Sequence, residues 1–169
     1  MDAEYDVVIL GAGAAGLSAG LYTARAMMKT LIVECLGTGG QLMITDEIEN
    51  YPGFPHGIKG PQLAMDMEEQ TLRFGAELQY VEVEGLDDLD KPVKIVHTNE
   101  RDYTAKTIII ATGGAHNKLG VGGEEEFAGK GVSYCAVCDG NFFRGQDVVV
   151  IGGGDSAIDE GLYLSGIVN

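Results

Sequence analysis

Residues 5–16 read Tyr5-Asp-Val-Val-Ile-Leu10-Gly11-Ala-Gly13-Ala-Ala-Gly16. The first six residues are a short, β-branched, apolar run, the pattern of a strand buried in a parallel sheet. The run feeds directly into G-x-G-x-x-G. From Leu17 to Lys29, Leu17, Leu21, Ala24 and Met28 recur at helical spacing, so a helix is expected there. Thr30-Leu-Ile-Val33 is a second strand, and it ends at Glu34.

Each part has a physical task in holding a dinucleotide. Gly11 makes the tight turn, Gly13 lets the backbone approach a pyrophosphate, and Gly16 lets the helix pack on the strand. The helix N-terminus offers free N–H groups and the positive end of a dipole. Glu34 follows Gly11 by 23 residues (34 − 11) and can hydrogen-bond ribose hydroxyls. A glycine turn alone is weak evidence and can be merely structural. Here strands, helix and acid agree, which predicts a Rossmann-like α/β domain.

The pattern starts again near the end of the chain. Asp147-Val-Val-Val-Ile151 reads as a second buried strand and runs into Gly152-Gly-Gly154-Asp-Ser156-Ala157. Ala157 takes the place of the third glycine, which the fingerprint permits. A helix is expected from Ser156 to Leu164. The two turns lie 141 residues apart (152 − 11), too far for a solenoid repeat. They read as two nucleotide-binding units, the second begun but not finished by Asn169.

Between them, residues 37–60 are rich in glycine and proline and are expected to be irregular. A helix is predicted over Gly60–Phe74, with Asp66, Glu68 and Glu69 on its solvated face. Ala76–Val83 and Val93–Thr98 read as strands of an antiparallel meander, split by Asp87–Pro92. Thr104–Thr107 leads into a buried strand, Ile108–Ala111, ending at Thr112-Gly113-Gly114, where a ligand can come close. The acidic run Gly123-Glu-Glu-Glu126 reads as an exposed connection, with a domain crossing between Gly114 and Gly131.

Composition narrows the function classes. Net charge is −15, and no basic stripe exists, so nucleic acid is excluded as a partner. The hydrophobic content is 45 %, as in ordinary globular proteins. No apolar run reaches the ~18 residues of a membrane span. The start, Met1-Asp-Ala-Glu4, is not a secretory leader, so the cytosol is expected.

Of three cysteines, Cys35 follows a strand and reads as a small buried hydrophobe. Cys135 and Cys138 form C-x-x-C, followed by Asp139 and Gly140. Two nucleotide sites flanking such a pair suggest an electron path, from a nicotinamide to a flavin to a disulfide. Two-residue spacing lets the sulfurs close a small ring, a thiolate in this setting has a lowered pKa, and Asp139 is a candidate proton donor or acceptor. Exchange with a partner disulfide would run through a mixed disulfide. Two rival readings stand beside this one. Half of a zinc site would need four ligands, yet no second C-x-x-C exists and His56, His97 and His116 lack ligand spacing. The pair could also be inert. The histidines read as surface or structural groups, and no metal is expected.

Six stretches together closely resemble the low-molecular-weight, bacterial-type thioredoxin reductases. They are Gly11–Gly16, Gly39-Gly-Gln41-Leu42, Ile48-Glu-Asn50-Tyr-Pro-Gly53, Ile110-Ala-Thr-Gly113, Tyr134-Cys-Ala-Val-Cys-Asp-Gly140 and Gly152–Ala157. They cover almost the whole chain in the family's order. The resemblance implies an FAD/NAD(P)-binding, three-layer Rossmann-like domain over 1–115 and the start of an NADPH domain carrying the C-x-x-C over 116–169. FAD would be held by Gly11, Gly13, Ala15, Gly16, the segment from Glu34 to Gln41 with Gly39 and Gly40, Asn50, the backbone near Val83, and Ala111, Thr112 and Gly113. NADPH would lie at Gly152, Gly154, Ser156 and Ala157. Cys138 would face the flavin, Cys135 would attack the thioredoxin disulfide, and Asp139 would act as acid and base. The family forms homodimers.

The chain departs from the pattern mainly in length, since members are roughly twice as long; Gly122 also stands where proline is common. It is therefore expected to be an N-terminal part of such a reductase. Alternatives within reach are a relative using ferredoxin or NADH as donor, one using another acceptor, and a catalytically idle flavin-binding fragment.

Overall fold

A computed structural model describes residues 2–169. The described residues divide into two compact units, one ending at Gly114 and the other spanning 115–169.

The first unit is built on a six-stranded sheet with strand order β5-β2-β1-β8-β7-β6. β1 (Tyr5–Leu10) lies between β2 (Thr30–Glu34) and β8 (Asp102–Ile110) and is parallel to both. β5 (Glu77–Tyr80) adds in parallel to β2. β6 (Val83–Asp87) and β7 (Lys94–Thr98) complete an antiparallel meander on β8. β8 serves both arrangements, because Ala105 pairs with Tyr5 on one side and Lys94 on the other.

The alternation of side chains along β1 creates two cores. Val7 and Ile9 join Leu17 and Ala24 of α1 (Ala14–Arg25), and Leu63 and Met67 of α2 (Gly60–Arg73). Val8 and Leu10 join Leu31 and Val33 of β2 and Val96 of β7. Helices, parallel sheet and meander are thus the three layers. Ile9, Leu31, Ile32 and Val96 are fully buried, each worth about 1.5–3 kcal/mol relative to exposure. The buried Thr71 hydroxyl ties α2 to α1, 3.0 Å from the Leu17 carbonyl and 2.7 Å from that of Met67.

Several elements differ from the sequence reading. α1 ends at Arg25, short of Lys29. Met27 turns back with φ 63°, and the Lys29 carbonyl already accepts from the Asp6 and Val7 N–H groups beside β1. The run 76–83 is split. Its first part is β5 in the parallel layer, Val81 N–H bonds the Glu34 carbonyl, and β6 then starts in the meander. Residues 37–60 hold a 3-10 turn over Gly40–Ile44 and a two-stranded ribbon of β3 (Glu47–Ile48) and β4 (Ile58–Lys59). Cys35 is exposed, because the chain leaves the sheet directly after Glu34.

The second unit has two helices, α3 (Ala136–Asp139) and α4 (Asp155–Leu164). α3 runs into a 3-10 turn over Gly140–Phe143. Residues 147–151 do not form the expected strand, and Val149 is 84 % exposed. A parallel strand needs a neighbour to take its N–H and C=O groups, and no described segment of residues 115–169 supplies one. Among the described residues, no helix is long and apolar enough to cross a membrane.

Candidate functional site

In the first unit a glycine cradle sits where β1 meets α1. The Gly11 N–H bonds the Val33 carbonyl of β2 at 2.8 Å. A Cβ at Gly16 would lie 1.8 Å from the Gly11 carbonyl oxygen, and one at Gly11 would lie 2.4 Å from the Ala111 carbonyl oxygen. Turn, helix and strand β8 therefore approach so closely that no side chain fits. Gly13 caps α1 in an extended conformation, and a Cβ there would meet only open space. Exposed Ala15 follows in the first turn of α1. The N-terminus of α1 thus faces a space bounded by backbone, as a pyrophosphate requires.

Glu34 closes one side. Its Oε2 accepts from the Ala12 N–H at 2.8 Å, and its Oε1 accepts from Cys35 at 2.9 Å and Leu36 at 3.0 Å. Partial burial works against ionisation, but the N–H groups of Leu36, Ala12 and Cys35 outweigh it and hold the carboxyl below its usual range. A carboxylate accepts at about four positions, so one on Oε2 is left for a ribose hydroxyl.

The Gly39 N–H donates to the Ala12 carbonyl at 2.8 Å, bringing Gly39, Gly40 and Gln41 alongside the turn. Gln41 Nε2 reaches the Gly114 carbonyl at 3.4 Å, beyond Ala111, Thr112 and Gly113 at the exit of β8. Four separate segments of the sequence are therefore brought to one sheet end. Asn50 is exposed in the connection between β3 and β4, and Val83 is half-buried at the start of β6.

In the second unit Cys135 and Cys138 are joined by a disulfide, with Cα atoms 5.3 Å apart. Cys135 caps α3, its Sγ accepting from the Cys138 N–H at 3.2 Å. Asp139 is half-buried and accepts from the Ser133 hydroxyl at 2.5 Å, while the same hydroxyl accepts from the Cys135 N–H at 3.1 Å. Among the described residues, no group of three or more His, Cys, Asp or Glu side chains is placed to hold a metal ion.

Sequence reasoning missed the supports of this turn. Ser133 gave no signal beyond its position. Glu160 of α4 accepts from the Ala136 N–H at 3.0 Å. Glu124, read as part of an exposed run, is buried. It accepts from the N–H groups of Leu119 at 2.8 Å and Gly120 at 2.6 Å, and from the Tyr134 hydroxyl at 2.8 Å. The bonds from Leu119 and Tyr134 lead those that hold the Glu124 carboxyl below its usual range, while Glu124 raises the Tyr134 hydroxyl. Tyr134, next to Cys135, stacks on His116 with ring centres 3.5 Å apart.

The second glycine turn leads into α4, which Gly154 caps. Gly152 has φ +146°, and a Cβ there would lie 2.9 Å from the Ala157 Cβ. Ser156 is exposed in the first turn of the helix.

Known proteins resemble this chain over most of its length. The family model described as pyridine nucleotide-disulphide oxidoreductase matches residues 5–168. The chain is 51 % identical to a thioredoxin reductase of Treponema pallidum over 165 residues, covering 98 % of this chain and 53 % of that protein. It is 50 % identical to a thioredoxin reductase of Bacillus subtilis over 161 residues, covering 95 % and 50 %. The crystal structure of thioredoxin reductase from Streptococcus pyogenes superposes with a TM-score of 0.88 at 48 % identity, covering 97 % of this chain and 53 % of that one. The chain spans about half the length of these relatives.

Proposed function

Because the chain belongs to the pyridine nucleotide-disulphide oxidoreductase family, we propose that it works as an FAD-dependent thioredoxin-disulfide reductase. Electrons from NADPH would pass through the Cys135–Cys138 pair to thioredoxin. The observation that carries the reading is the disulfide itself, closed on a short helical turn with a carboxylate at the next residue. FAD and NADPH, when bound, would supply hydride chemistry and deliver an electron pair. Residues 1–115 are taken as the flavin-binding unit and 116–169 as the unit carrying the redox turn. The first cradle fits a flavin dinucleotide, because backbone and glycine line the space a pyrophosphate needs. Gly152, Gly154, Ser156 and Ala157 form the corresponding turn for NADPH.

The protein's own groups then divide the work. Opening the disulfide takes two electrons and two protons and leaves two thiols. Asp139, which accepts from the Ser133 hydroxyl, would move a proton at this turn. The Cys135 thiolate attacks one sulfur of the thioredoxin disulfide and forms a mixed disulfide, and the leaving thiolate of thioredoxin takes up a proton. Cys138, as thiolate, attacks the Cys135 sulfur, re-forms the internal disulfide and releases the second thioredoxin thiol. The working form is a homodimer in the cytosol.

The test is reduction of thioredoxin disulfide by the FAD-loaded protein. NADPH oxidation should depend on thioredoxin and be lost in both Cys135→Ser and Cys138→Ser. Turnover with reduced ferredoxin or NADH in place of NADPH would reassign the donor. No thioredoxin reduction with any of the three would overturn the reading.

A further inference from the structure

We propose that Glu160 is a positioning residue that docks the redox turn onto α4 and makes its disulfide harder to reduce. The inference rests on reading Cys135–Cys138 as a redox pair.

The start of a helical turn leaves N–H groups without partners in the helix. At α3 two of them are accounted for in different ways. The Cys138 N–H turns inward to Cys135 Sγ at 3.2 Å, and the Ala136 N–H turns outward to Glu160 Oε2 at 3.0 Å. Glu160 lies 24 positions along the chain, on another helix, so this contact is tertiary. Ala136 itself is only 7 % exposed, so its N–H has little access to water as an alternative partner. Gly140 closes the same junction, since a Cβ there would lie 3.1 Å from Leu164 Cδ2 on α4. A polar contact at one end of the turn and a close apolar contact at the other fix it to one helix.

The charge of Glu160 has a further consequence. A thiolate at the start of a helical turn is favoured by free N–H groups and disfavoured by a nearby anion. Glu160 takes up the N–H of the residue next to Cys135 and adds a formal negative charge there. Both effects raise the free energy of a thiolate on the opened pair relative to the disulfide, which carries no charge. The pair is therefore more reducing than its turn alone would make it, as suits a donor to another disulfide. α4 also begins at the second glycine turn, so the group that sets the pair's poise sits on the helix that this turn feeds.

The experiment equilibrates the FAD-loaded protein with dithiothreitol buffers near pH 8. Each reduced pair gains two electrons and two protons while one dithiothreitol closes to its cyclic disulfide. Alkylation and peptide mass separate Cys135 and Cys138 from Cys35. In Glu160→Gln the amide oxygen can still accept from Ala136, so only the charge is lost. The equilibrium constant for reduction should rise about two- to fivefold, the size of a single charge at a helix end. Alkylation of the opened pair at fixed pH should quicken in parallel. Glu160→Asp keeps the charge and should stay within about twofold of the wild type on the same scale. A reducible pair whose equilibrium is unchanged in Glu160→Gln, or moves the other way, overturns the proposal alone. A wild-type pair that resists every buffer overturns the redox reading, and the proposal with it.

Discussion

At the scale of single residues, the Cys135–Gly140 turn is a set of short contacts around two sulfurs. Asp139 is fixed by the Ser133 hydroxyl at 2.5 Å, and that hydroxyl is fixed by the Cys135 N–H at 3.1 Å. A carboxylate that only bound water would sample other rotamers, and proton transfer depends on reach. Asp139→Asn keeps the shape and removes the proton site, so thioredoxin reduction should fall about 10²-fold or more. Ser133→Ala leaves the carboxylate and removes its orientation, so its loss should be smaller, about tenfold, with Ser133→Thr restoring most of the rate. Steady-state rates of the FAD-loaded variants decide this, and an Asp139→Asn rate equal to the wild type would remove Asp139 from the chemistry. The Cys135–Cys138 pairing was legible in the sequence because two-residue spacing lets the sulfurs close a small ring. Ser133, Glu124 and Glu160 were not, because a serine or a glutamate has a role only through the partner the fold brings to it. Glu124 shows why: it stands in a run of three glutamates that reads as solvated surface, and the backbone of residues 119–120 folds around it alone.

At the scale of elements, the meander is held by one cross-strand row as well as by its core. His97 of β7 lies between Asp102 of β8, 2.8 Å from Nδ1, and Asp87 of β6, 3.1 Å from Nε2. Hydrogen bonds to Asp102, then to Asp87, raise the imidazole above its usual range against the opposing effect of burial. A raised folded-state value means the protonated form is favoured by folding. This contribution is complete below the ordinary histidine range and fades as pH rises through the folded-state value. The difference in urea midpoint between wild type and His97→Gln should therefore shrink between about pH 5 and 8, as read by circular dichroism. A difference that stays constant or grows over that range would rule out the row as a pH-linked contact. The same strands show the limit of pattern reading. β1, β2 and α2 were legible because apolar spacing alone defines them. β6 was not, since Val83-Glu-Gly-Leu-Asp87 is polar and holds a glycine. The partner of β5 was not, since a strand's sequence does not name its neighbour. Residues 147–151 have the β-branched composition of a strand, but composition gives propensity and a sheet needs pairing.

At the scale of the whole molecule, the two units differ in how much they bury. In the first unit both faces of the sheet are covered, and Val8, Ile9, Leu31, Ile32, Val96 and Ala105 have no exposed surface. In the second, Ala136 and Leu164 are the buried apolar side chains among the described residues, while Val149, Ile151 and Leu162 are 84 %, 67 % and 69 % exposed. What holds its last residues is polar: the Asn169 N–H donates to the Gln146 carbonyl at 3.0 Å, and the Gly145 N–H donates to the Ile167 carbonyl at 3.1 Å. Opening free energy follows buried apolar contact, and segments with little of it exchange their amides through low-cost openings. The expected pattern in this chain is therefore graded. Amides of β1 and β2 should exchange most slowly, near the limit set by unfolding of the first unit. Those of 147–154 should exchange close to the rate of an unstructured peptide, with the turn of Cys135–Gly140 in between because Glu160 and Leu164 hold it to α4. Hydrogen exchange read by mass spectrometry checks all three levels in one experiment. Equal protection across 147–154 and β1 would show that the second unit buries its β-branched run, and the separation of stabilities between the two units would fall.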